Sequence, residues 1–326
     1  MDIGRRALYN LIRMNWINDP TTPYERWQVE DYRSLSDSQL FHLLQGLGIP
    51  WDSEAFLLYA QSVESPEELT DLLLKDADLE PAEQDRIYLV LFEIWRRLLP
   101  DRMSLSLFSD ELDHQIFMYD KGDVSTAESI QDAIANLQDL MDDHVDEGES
   151  HQQIFQLISE ACANDLESFL YDYIAEQIDN DDSGYAAELV EGLDPYIGKS
   201  MWFELLKVRL LELEDPEASQ EELRKLLAKA MREKELTFNL EVLAFVSQCG
   251  EKKDFNKMVR ASIPLLNIEE DFQELLSICE DYYRCLDEDG KEQAVQEILN
   301  PRSYYDLSEN LDPDDPGLKE LLDLIK

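Results

Sequence analysis

The chain has 326 residues, 44% of them hydrophobic and 10% aromatic, which is enough apolar material for a core and too much for a disordered polymer. Its 73 acidic residues against 28 basic ones leave a formal charge of −45, which argues against a counterion-releasing grip on DNA, RNA or an anionic membrane. With only 11 Gly and 12 Pro, a fold built on many tight turns is also disfavoured.

The first segment, RRALYNLIRMNWIND, is basic and amphipathic, with Arg5, Arg6 and Arg13 accompanying Leu8, Leu11, Ile12 and Trp16. It suits a membrane or partner-helix contact. The plainer reading is a first helix packed on the body, its arginines paired to acids. PYERWQVEDYRSL follows, and its Trp27 and Tyr32 read as anchored aromatics. Ser36 caps SDSQLFHLLQGLG, which ends near Gly48, and Pro50 restarts the chain at WDSEAFLLYAQSV. SPEELTDLLL has Pro66 at its first helical position and Glu67 and Glu68 in the first turn, where the helix dipole favours acids. The next helix runs from Pro81 to the stop at Pro100, with Arg96 and Arg97 in its last turn. SDELDHQIFMYDKG and STAESIQDAIANLQDLMDDHV continue the helical spacing, and no alternating strand run with hairpin turns occurs. The expected fold class is all-α.

The longest apolar run, Ile87 to Phe92, is far short of the roughly 18 residues a membrane span needs. Cys162, Cys249, Cys279 and Cys285 show no C-x-x-C spacing and read as reduced, partly buried thiols. Arg13 interrupts the early apolar stretch, so no signal peptide is read. A soluble, cytoplasmic protein without a membrane span is expected.

Between Lys121 and Lys199 there is no Lys or Arg, while twenty Asp and Glu fall there. Four segments are expected: an N-terminal helical domain (1–121), acidic connecting helices (122–164) with a hinge near Gly148, a repeat region (165–303), and a C-terminal loop and helix (304–326). The repeat region divides into Asp165–Lys199, Ser200–Leu236, Thr237–Glu270 and Asp271–Ser303. Its polar turns, at Asn180, Asp215, Gly250 and Asp287, lie 35, 35 and 37 residues apart. A period in the mid-thirties is what antiparallel helical hairpins produce, because one hairpin cannot cover its own apolar face. In length and helix pairing this region resembles the tetratricopeptide class of helical repeats. The resemblance implies an α-solenoid-like stack whose first helices line a groove. The expected small residues and terminal proline are not met; Ala187, Pro195, Ala294 and Pro301 only echo them. At the C-terminus, Leu318, Leu321, Leu322 and Ile325 form an apolar stripe suited to covering the last repeat.

DNDDSGYAAELV opens like a calcium loop, with Asp179, Asp181, Ser183 and Gly184 at ligand positions, but Val190 stands where the bidentate Glu belongs. DPDDPGLKELLD fails similarly, with Pro316 at a ligand position. Glu111 and His114 form one Glu-x-x-His, and a di-iron bundle needs two. No nucleophile elbow or phosphate-binding glycine loop occurs. No catalytic residue, cofactor or metal is therefore assigned. Aromatics fall on the first helix of each hairpin, beside acids. A partner-binding set of Tyr171, Asp172, Glu176, Trp202, Glu204, Phe238, Glu274 and Tyr282 is expected on that face.

The expected function is a non-catalytic acidic scaffold binding a basic or amphipathic protein, as an adaptor, chaperone or secretion-associated factor. Two other classes compete: a nucleic-acid mimic that fills another protein's basic groove, and an enzyme with an unfamiliar carboxylate site. The composition itself generates a prediction. Self-repulsion among the acids is screened as the Debye length shrinks from about 30 Å at 0.01 M salt to about 8 Å at 0.15 M. The melting temperature should rise over that range, and a scan in which it is flat or falls contradicts the reading.

Overall fold

The computed structural model describes residues 4–75, 77–122 and 127–325. Among them the secondary structure is helical, with no β-strand. The chain forms two compact units, Met1–Leu170 with Pro195–Ile197, and Tyr171–Asp194 with Gly198–Lys326. Ser125 and Thr126, where the sequence expects the long acidic helix to begin, lie outside the described residues.

The first unit holds α1 (Gly4–Asn18), α2 (Arg26–Val29), α3 (Asp37–Gly46), α4 (Ser53–Ala60), α5 (Pro66–Leu74), α6 (Pro81–Leu98), α7 (Leu105–Asp120), α8 (Ala127–Asp146) and α9 (His151–Ala161). The start signals read from the sequence act as caps. Ser36 accepts from the Gln39 N–H, and Ser65 from the Glu68 N–H ahead of Pro66. α6 is the centre. Nine consecutive residues, Ile87 to Trp95, are buried, as happens when a helix is enclosed on all sides. α3 and α5 pack on it. Each fully buried Leu, Ile, Val or Phe here contributes about 1.5–3 kcal/mol. Two polar groups caught on buried α6 are satisfied: Tyr88 donates to Glu67 at 2.7 Å, and Glu93 accepts from Arg96 and Arg97 at 2.6 Å each. The acidic helices that the sequence sets apart as a connector belong to this unit. α8 packs on α7 and α9, and α9 packs on α1.

The N-terminal arginines face the body. Arg5 binds Asp85, Arg6 binds Asp110, and Arg13 binds Asp31. Asp110 is the junction. Its buried carboxylate accepts from Arg6 and from Arg33 at 2.6 Å each, and from Asn10 at 2.9 Å. One turn later, Asp113 accepts from Asn10 and from the backbone N–H groups of Ala163 and Asn164. Two acids on α7 thus tie down α1, the 3-10 turn Tyr32–Ser34 and the chain leaving α9. Burial pushes the Asp110 carboxyl up. The Arg6 and Arg33 charges and the Asn10 amide outweigh it and hold it well below the ordinary 3.8.

The chain continues with α10 (Leu166–Asp179), α11 (Ser183–Ile197), α12 (Met201–Glu214), α13 (Pro216–Glu233), α14 (Leu236–Cys249), α15 (Lys252–Ser262), α16 (Glu269–Cys285), α17 (Asp289–Leu299) and α18 (Pro316–Leu324). The turns expected from the sequence separate these helices. Asp215 ends α12 and caps α13 by accepting from the Ala218 N–H, with Pro216 next. Gly250 ends α14 where an added Cβ would collide with Val246. Within the second unit α12 packs on α13, α14 on α15 and α16 on α17. First helices also meet first helices, α12 on α14 and α14 on α16, while α13 meets α15. α18 packs on α17, burying Leu318 and Leu321, and the Ile325 carbonyl accepts from Asn256 and Arg260 of α15. Buried Arg302 binds Glu269 at the start of α16 and Asp315 at the start of α18.

Asp110→Ala should cost about 3–5 kcal/mol, because two guanidiniums lose their buried partner. Because the folded carboxyl is depressed, its contribution is complete above the ordinary aspartate range and is lost as pH falls toward the folded value. Urea unfolding at neutral and acid pH checks both points. Wild type and variant should converge as the pH drops, and a constant gap would contradict the assignment.

Candidate functional site

The predicted site residues lie on α10, α12, α14 and α16, the first helix of each hairpin. Helical geometry decides which of them share a face. Trp202 and Arg209 are seven residues, two turns, apart on α12, so both project the same way. Trp202 meets Tyr171 edge to face at 4.8 Å and Phe238 at 5.0 Å, joining α10, α12 and α14 in one aromatic ladder. Tyr171 and Phe238 are buried, and Trp202 is half-buried, so Trp202 is the aromatic surface this ladder presents.

Acids flank it. The Tyr171 hydroxyl donates to Glu241 Oε1 at 2.6 Å. Arg209 pairs with Asp179 and approaches Glu241 at 3.9 Å. Glu274, on α16, is exposed at the residue level, yet its carboxyl is pushed above the ordinary 4.5. Burial of the carboxyl is the main cause, and the negative charges of Asp271, Glu241 and Glu270 add to it. Burial and the Glu241 charge likewise push the Tyr171 phenol up, so it stays a donor at neutral pH. Asp172 and Glu176 are exposed, about one turn apart on α10.

Two predicted members are elsewhere. Glu204 follows Trp202 by two residues, a rotation of about 200°, and so points to the opposite side. There it pairs with Lys229 of α13 at 2.8 Å. Tyr282 is fully buried, stacked on Phe255 of α15 at 3.7 Å. Membership of a first helix places neither on the Trp202 face, because rotation about the helix axis separates them from it. Arg209 and Glu241 were missed. The seven-residue spacing from Trp202 to Arg209 and the three-residue spacing from Phe238 to Glu241 carry that information.

The other candidate motifs have structural partners. Asp179 of the calcium-like stretch is held by Arg209, and Asp181 takes a left-handed turn conformation between α10 and α11. Asp315 of the second stretch caps α18 and binds Arg302. Glu111 binds Arg33 and Gln115. Among the described residues, no cluster of three or more His, Cys, Asp or Glu is arranged to hold a metal ion, and no helix is long and apolar enough to cross a membrane. Burial pushes the Cys249 and Cys279 thiols up to about 12, which keeps both protonated. Comparison with known proteins finds no matching family model, curated protein or solved structure.

The acid cluster generates a titration prediction. Glu241→Gln removes a neighbouring negative charge, so the Glu274 midpoint should move down toward 4.5. A carboxyl carbon NMR titration reads it, and an unmoved midpoint would show that the two carboxylates do not sense one another.

Proposed function

We propose that the second unit is a short stack of helical hairpins that binds a basic, amphipathic segment of another protein along its first helices. The observation that carries this reading is the Trp202–Tyr171 aromatic pair with Glu241 on the Tyr171 hydroxyl and near Arg209, together with Glu274, which senses the charges of Glu241, Asp271 and Glu270. Like charges held together raise the energy of the unbound face, and a cationic partner relieves it. A half-buried tryptophan bordered by charge is the composition of an interaction hot spot. The ordered packing of α12 on α14 and α14 on α16 supports a continuous surface. The resemblance to tetratricopeptide repeats points the same way. The role is that of a non-catalytic adaptor or chaperone.

A synthetic helical peptide of alternating Leu and Lys faces tests this. Calorimetric titration should show binding that weakens between about 0.05 and 0.5 M salt as the charges are screened. The double variant Glu241→Gln and Glu274→Gln should weaken it roughly two- to tenfold, the range expected for two partly exposed ion pairs. A salt-independent affinity that the double variant leaves unchanged would reject the reading.

A further inference from the structure

The first unit contains an open cavity of about 930 Å³ between the α2 region and α3, floored by α6. Its size falls at the upper end of small-molecule sites. Trp27, Leu35, Leu43, Leu47 and Val90 form its apolar walls, and Arg26, Gln39 and His42 are among the polar groups that also line it. Arg86 also lines it, one helical turn before Val90 on α6, and is half-buried. Arg5, Arg6, Arg13, Arg26, Arg33, Arg96, Arg97 and Arg102 of this unit each pair with a carboxylate. Arg86 has no carboxylate within ion-pair distance among the described residues. Among the arginines of this unit it is therefore set apart by its position on the cavity rather than in an ion pair. The two acids lining the cavity are engaged: Glu25 accepts from the Trp27 indole at 2.7 Å, and Glu30 pairs with Arg26 at 3.4 Å.

We infer that this cavity binds a small amphipathic carboxylate, with the Arg86 guanidinium taking the anionic head and the apolar walls taking the body. A guanidinium presents a planar pair of N–H donors that matches a carboxylate, and partial burial strengthens the contact. The apolar walls supply affinity that does not depend on charge, and Arg86 supplies the selection for an acid. This inference rests on the first unit alone and does not depend on the peptide-binding face.

Calorimetric titration of the full chain with decanoate, and with neutral decanol as its uncharged counterpart, tests it. Decanoate should bind at least about tenfold more tightly than decanol, the lower end for a charge-assisted hydrogen bond. Arg86→Gln should abolish that preference while leaving decanol affinity unchanged. Ser38→Trp, placed on the cavity wall at an exposed position, should weaken both ligands. Circular dichroism should show both variants folded, since Arg86 holds no ion pair that the fold needs. Equal affinity of the wild type for the two ligands, a decanoate affinity unmoved by Arg86→Gln, or no binding of either ligand would each overturn the assignment.

Discussion

Scarcity of positive charge constrains every part of this molecule. With 28 basic residues against 73 acidic ones, most carboxylates have no cation to meet and must face water. Arginines turned toward the interior, buried or half-buried, therefore act as internal braces. In the first unit Arg6 and Arg33 converge on Asp110, bringing together segments about a hundred and about eighty residues away along the chain. In the second, Arg302 holds the starts of α16 and α18 together through Glu269 and Asp315. Such pairs cost desolvation when they form, but once formed they make wrong arrangements expensive, because each alternative leaves a buried charge alone.

Against that background, carboxylates that the fold holds close to one another become informative. Around Glu274 the fold adds Glu241 of α14 to Asp271 and Glu270 of its own helix, and Arg209, near Glu241, is already shared with Asp179. The same reasoning with the sign reversed picks out Arg86, a guanidinium without a carboxylate partner beside an apolar cavity. In a chain of balanced composition neither feature would stand out. Here the charge ratio leaves few cations to offset an acid cluster, which is therefore costly to assemble.

Helix boundaries were largely legible in the sequence, because they are set locally. Ser36, Ser65 and Asp215 cap the helices they precede, and Pro66, Pro81 and Pro216 occupy first turns. The turns at Asp215, Gly250 and Asp287 separate paired helices at the expected spacing. The site was legible only in part. Tyr171, Trp202 and Phe238 come together, as aromatics on successive first helices suggest. Glu204 and Tyr282 do not join them, since adjacency in sequence says nothing about rotation around the helix until its neighbours are known. The acidic helices α8 and α9 read as a connector because they lack basic residues, yet their apolar stripes pack against α7 and α1.

By itself the sequence determined the all-helical class, the lengths and ends of the helices, and the excess of negative charge. Each depends on near neighbours in the chain or on composition, and neither requires knowledge of what lies across space. Only the tertiary structure decided which acids share a cluster, which arginine of the first unit lines a cavity instead of meeting a carboxylate, and where that cavity opens. Those outcomes depend on distances between residues far apart in sequence, and a few ångströms separate an ion pair from an unmatched charge.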